Sequence, residues 1–157
     1  MRTKGLKART VHLVDLENVV GSGHVTELAA RRVRAVYMGT GVVAPDDHVI
    51  VGVSHHNLLA AGYGWPDAGL RVRSGADGAD LVLQEVMTTE NLEGRFGAAI
   101  LVTGDGGFAH SVAALTGRGL PLGVIAPKGR LSAALRLAAS AAREIAFTPG
   151  VNTSWSA

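Results

Sequence analysis

Asp105 stands in LVTGDGGFA, where an apolar run from Ala98 to Val102 delivers an acidic residue into a glycine turn at the expected start of a helix. Asp15, in VHLVDLEN, follows a second apolar run, and Asp80, in GADGAD, opens another predicted helix. Hard divalent cations prefer carboxylate and water oxygens. Like charges placed together repel, and a cation between them removes the repulsion. If the three segments converge, Asp15, Asp80 and Asp105 are candidate ligands of one Mg²⁺ or Mn²⁺ ion. Such an ion activates water and stabilises charge on a phosphodiester under attack.

Neighbouring residues extend the constellation. Glu17 and Asn18 add oxygen donors just after Asp15, with Asn18 the candidate orienting group and Glu17 either a further donor or a residue turned to solvent. Thr103 offers a hydroxyl beside Asp105. Asp77 is read as a helix cap and Asp80, three residues on, as the group that leans over the sheet edge. Glu85 falls on another face of that helix. Arg71 and Arg73 before GADGAD, and Lys128 and Arg130 before the last helix, could rim the crevice as a phosphate clamp. His55 and His56 read as exposed loop residues, with Ser54 capping the short helix beyond them, and His110 as a weaker substrate contact. Trp65 either stacks a base or plugs the core, and the plug is preferred.

The elements that must position these groups are strands alternating with helices. Strands are expected at Val11–Val14, Val49–Val53, Leu70–Val72, Ala98–Val102, Leu120–Ala126 and Ile145–Phe147. Helices are expected from Thr26, as cap, to Met38 with Leu28, Ala29, Val33 and Val36 inward. Others are expected over Asn57–Ala61, Ala79–Thr88, Phe108–Thr116 and Leu131–Ala142, and Val19–His24 reads as a glycine-bearing loop. Alternation of this kind predicts a three-layer α/β/α sandwich around a mainly parallel sheet. In such sheets, sites lie at the carboxyl ends of strands. Asp15 and Asp105 both occupy such ends.

The 157 residues suit one domain, read as 11–148, between a basic tail at 1–10 and a loose tail at 149–157. No cysteine is present, which excludes disulfides and thiolate-bound zinc. No leader-like segment and no uninterrupted apolar run of about 20 residues is found, so a cytoplasmic protein without a membrane partner is expected. Arg2, Lys4, Lys7 and Arg9 make the amino-terminal arm basic, while the remainder is slightly acidic. Such an arm can hold phosphates or simply be solvated, and the second reading is preferred.

These motifs, taken in order, resemble the NYN domain, a branch of the PIN-like metal-dependent nucleases. The resemblance rests on Asp15 with Asn18 after the first strand, and on Ala79 with Asp80 opening a helix. It continues with Thr103-Gly104-Asp105-Gly106-Gly107-Phe108 after a later strand, and with Ala126-Pro127-Lys128-Gly129 followed by Ser132. It covers about Val11 to Phe147. It implies a PIN-like fold and a Mg²⁺- or Mn²⁺-dependent endoribonuclease. Asp15, Asp80 and Asp105 would bind metal, Asn18 would orient, Thr103, Arg73, Lys128 and Arg130 would hold substrate, and RNA would be the partner. Where the family carries a second aspartate in its third motif, this chain has Gly107. That departure motivates an alternative, a degenerate member that binds RNA without cutting it. A third reading, a dinucleotide loop at Gly21–Thr26, is disfavoured by its distance from the first strand and by the lack of a following acidic residue. A homodimer, which would lengthen the groove, is compatible with the sequence.

Overall fold

The apolar runs of the chain become six parallel strands. The structure, a computed structural model, describes residues 9–147. In chain order the elements are β1 (Thr10–Asp15), α1 (Leu16–Val20), α2 (Glu27–Gly39), β2 (His48–Ser54), α3 (Leu58–Gly64) and β3 (Gly69–Arg73). They continue with α4 (Gly78–Thr89), α5 (Leu92–Arg95), β4 (Ala98–Val102), α6 (Ala109–Gly117), β5 (Leu122–Pro127), α7 (Ala133–Ala138) and β6 (Ala141–Ile145). The expected tails fall outside the described residues apart from Arg9 and Thr10.

The strand order is β3-β2-β1-β4-β5-β6, and every pairing is parallel. The chain therefore winds outward from β1 to one edge, returns to the centre, and winds to the other edge. Right-handed crossovers place the helices of the first half on one face and those of the second half on the other. The two cores obey this rule. Val14, Val33, Tyr37, Val51, Val53 and Trp65 pack beneath α2 and α3, and Leu13, Leu83, Met87, Leu101, Phe108 and Leu115 pack beneath α4 and α6. The fold is thus a three-layer α/β/α sandwich with PIN-like topology.

Local chemistry accounts for most boundaries. Thr26 caps α2 by accepting the Ala29 N–H at 3.0 Å, as its sequence position predicts. The inward face of α2 is rotated from expectation: Ala30, Val33 and Tyr37 are buried, while Leu28 is 54% exposed. Close packing on α3 explains the shift, because a side chain at Gly64 would strike Ala30 and the α2 backbone. Val19 and Val20, expected in a loop, complete the short helix α1, which ends at Gly21 in the left-handed conformation.

The alanine-rich segment is where propensity loses to pairing. A helix over Leu131–Ala142 is expected, yet α7 spans only Ala133–Ala138 and the chain then becomes β6. Ser140 donates its N–H to Leu122 O at 2.8 Å, and its hydroxyl accepts the Leu122 N–H at 3.0 Å. These bonds start the pairing of Ala141–Ile145 with the open edge of β5. An edge that satisfies a row of backbone groups outweighs the small helical preference of alanine.

The far end of the sheet is closed by a polar network invisible in the sequence pattern. His12, fully buried, is 2.5 Å through Nδ1 from the Tyr37 hydroxyl and 2.9 Å through Nε2 from Asp47 Oδ2. Asp47 also accepts the N–H groups of Thr10 and Ala44, both at 2.9 Å. Burial lowers the His12 pKa despite the adjacent carboxylate. The neutral ring with hydrogen on Nε2 suits this geometry, donating to Asp47 and accepting from Tyr37. Asp47 therefore staples the starts of β1 and β2.

Helix α4 reaches the sheet at Gly52 of β2, where an added Cβ would lie 2.5 Å from Leu83 Cγ. Leu83 is fully buried and cannot swing aside. Gly52→Ala is expected to lower the unfolding free energy by about 1–3 kcal/mol through overpacking, read by chemical denaturation. A variant with the wild-type midpoint would show that α4 does not depend on this approach.

Candidate functional site

The reversal of strand order falls between β1 and β4, and loops leaving adjacent strands part there into a crevice. Asp15 is the last residue of β1 and only 3% exposed. Thr103 and Asp105 follow β4. The Thr103 hydroxyl, also buried, donates to Asp15 Oδ2 at 3.0 Å and accepts the Asp105 N–H at 3.2 Å. Asn18 accepts the Gly104 N–H through Oδ1 at 2.9 Å. Two side chains thus lock the turn after β4 onto the turn after β1. Gly104 also lets the loop after β5 approach this turn, since a Cβ there would lie 2.1 Å from the Arg130 carbonyl oxygen.

Asp80 arrives from the opposite face of the sheet, in the first turn of α4. Asp15, Asp80 and Asp105 line one open cavity of about 320 Å³, together with Glu17, Asn18, Asp77 and Arg130. Neighbouring carboxylates act on two of these groups, Asp15 and Asp80. Burial pushes Asp15 up to about 7, against the pull of the Thr103 hydroxyl and the Asn18 N–H, and the charges of Asp80 and Asp105 raise it further. Asp80 is likewise raised, by burial first, then by the charges of Asp105 and Asp77, while the Gln84 amide, 2.5 Å from its Oδ1, opposes the shift. Asp105 Oδ1 accepts the Gly107 N–H at 2.9 Å.

Each carboxylate is thus anchored to its own donor. Among the described residues, no three acidic or histidine side chains are gathered tightly enough to grip a metal ion as they stand. The donor chemistry still suits a hard divalent cation, because the cleft offers several carboxylate oxygens and two of the groups resist ionisation without a nearby positive charge.

The other sequence-derived candidates divide. Asn18, read as an orienting group, bonds the turn after β4 through the Gly104 N–H. Thr103, expected to touch substrate, lies beneath the cleft and supports Asp15 and the Asp105 backbone instead. Arg130 lines the cleft, with its guanidinium held by the carbonyls of Asn18 at 2.6 Å and Val19 at 3.2 Å. Arg73 and Lys128 are exposed and are not among the lining residues. Arg73 is 3.9 Å from Glu85 on α4, and Arg71 forms a two-pronged pair with Glu90 at 2.9 and 3.1 Å. Asp77 occupies the capping position without a capping bond and lines the cleft. His55, His56 and His110 are exposed. Trp65 is a core plug against Tyr37.

Sequence reasoning missed the role of Glu17 and the involvement of Asn57. Glu17, read as a further donor on its loop or a residue turned to solvent, instead accepts hydrogen bonds from Ser54 and Asn57 across the chain. Ser54 makes no capping bond and is committed to Glu17 instead. The available signal was the polar cluster Ser54–Asn57 after β2, which lies beside β1 in a parallel sheet.

No family model matches the chain, and no curated relative matches it. Among solved structures, it is similar to a protein of unknown function from Vibrio parahaemolyticus RIMD 2210633. The TM-score is 0.56 at 16% identity, over 92% of this chain and 96% of the other. That likeness speaks to fold alone. Fold and topology together define the class: a three-layer α/β/α sandwich around a parallel six-stranded sheet. Among the described residues, no helix is long and apolar enough to cross a membrane.

The electrostatics give a measurable signature. Asp15 binds its proton more tightly in the folded than in the unfolded chain, so its contribution to stability is full below about pH 4 and is lost as pH rises through about 7. The expected slope in metal-free buffer is up to about 1.4 kcal/mol per pH unit within that window. Asp15→Asn keeps an acceptor for Thr103 and should flatten the slope. Melting temperatures between pH 5 and 8 with chelator test this, and parallel profiles for the two proteins would refute it.

Proposed function

We propose that this chain is a divalent-metal-dependent ribonuclease of the NYN branch of PIN-like proteins. The observation that carries the reading is the convergence of Asp15, Asp80 and Asp105 on one cleft at the strand-order reversal. These three would hold Mg²⁺ or Mn²⁺. When bound, the cation supplies charge neutralisation at phosphorus and a nucleophile at neutral pH.

The chain's own groups do the rest. Thr103 holds the Asp15 carboxylate from below, and Asn18 keeps the Gly104 turn against β1. Arg130, the one cation lining the cleft among the described residues, faces the substrate's phosphate charge while its bonds to the α1 carbonyls restrict its motion. RNA as the substrate follows from the resemblance of motifs.

A second reading has an observation in its favour. Gly107 replaces a family aspartate, and no ready-made three-ligand cluster exists among the described residues. Both suit a protein that binds RNA without cutting it.

Asp105→Asn separates the two. For a ribonuclease, the variant keeps the wild-type fold by circular dichroism and loses Mn²⁺-dependent cleavage of single-stranded RNA by about a hundredfold or more. Equal cleavage by variant and wild type would refute catalysis at this cleft. Undiminished RNA binding with no cleavage by either protein would favour the second reading.

A further inference from the structure

We propose that Glu17 is not a fourth metal ligand but the positioning residue that joins the two rims of the cleft and so sets where Asp80 stands. The inference rests on the metal-dependent reading of the cleft given above.

Glu17 is two residues from Asp15 and lines the same cavity, which makes it the obvious additional ligand. Its oxygens are otherwise engaged. Oε1 accepts the Ser54 hydroxyl at 2.9 Å, and Oε2 accepts the Ser54 N–H and the Asn57 amide N–H, each at 2.7 Å. Ser54 and Asn57 are fully buried. A carboxylate has about four acceptor sites. Three short bonds, strengthened by its charge, leave little for a cation.

From Glu17 the ties run in two directions. The single Ser54 hydroxyl proton is shared between Glu17 Oε1 and Gly75 O, 3.2 Å away, in a three-centre bond. Gly75 in turn accepts the Gly78 N–H at 3.1 Å, where α4 begins, and Asp80 sits in its first turn. On the other side, Asn57 donates to Gly23 O at 3.0 Å and accepts the Val25 N–H at 2.9 Å. The loop around Gly23 and the turn before Asp80 form facing rims of the cleft. One carboxylate on α1 therefore fixes both rims against the end of β2. Supporting bonds of this kind orient metal-binding side chains, and losing one typically costs about 10–100-fold in affinity.

Two measurements on the purified full chain test this: Mn²⁺ titration by calorimetry, and amide hydrogen exchange without metal. Ser54→Ala cuts the link toward Gly75 while leaving the Glu17 carboxylate in place, and Glu17→Gln keeps the shape but sets an amide against the donors. Both variants should bind Mn²⁺ about tenfold or more weakly. In Ser54→Ala, amides 76–81 should exchange faster while the central strands keep their protection. If Glu17→Gln weakens binding but Ser54→Ala does not, Glu17 is a ligand and the proposal falls. Unchanged exchange over 76–81 in Ser54→Ala also overturns the clamp, whether or not metal binds. If both variants match wild type while Asp105→Asn loses Mn²⁺, the clamp fails and the metal reading stands. If wild type binds no Mn²⁺, the metal reading itself is overturned.

Discussion

A carboxylate removed from water at the centre of a sheet is the constraint around which this molecule is arranged. Asp15 is buried at the end of β1, with the charges of Asp80 and Asp105 close enough to raise its pKa further. Burying a charge is unfavourable unless hydrogen bonds or an opposite charge compensate. The Thr103 hydroxyl and the Asn18 N–H supply part of that compensation. What remains is a local excess of negative potential directed into an open cleft, a suitable place for a divalent cation and a poor place for an uncovered phosphate.

The sheet makes this concentration of charge reachable. Because strand order reverses between β1 and β4, two loops part where their helices leave for opposite faces. Helix α4 then crosses beneath the first half of the sheet and brings Asp80 to the same edge. Its close seating at Gly52 and the bonds radiating from Glu17 fix its start. The scaffold thus absorbs the mutual repulsion of the acidic groups through contacts made well away from them. At the other end of the sheet, the His12–Tyr37–Asp47 network performs the equivalent closure with neutral and charged partners in balance.

Much of this was legible along the chain. Apolar runs ending in Asp15 and after Val102 marked two central strands and the loops that leave them. Thr26 announced its helix, and Asp80 stood in a first turn as its position implied. The failures share a cause. Glu17, Ser54 and Asn57 are polar residues whose partners lie tens of positions away, so no periodicity reveals them. Arg73 and Arg71 were read as phosphate ligands because they are basic and near the motif, yet Glu85 on α4 and Glu90 just past its end pair with them. The alanine-rich segment was read by propensity, and the open edge of β5 overrode it.

The amino-acid order alone determined the alternation of elements, the parallel three-layer class and the identity of the acidic residues at strand and helix ends, because periodicity and turn chemistry are local properties of the chain. Only the tertiary structure decided which of those acids share a cleft, which bases are already paired, and that Glu17 ties the rims together. Those outcomes depend on distances between segments remote in sequence, and such distances are set by crossover handedness and side-chain packing, which no local pattern encodes.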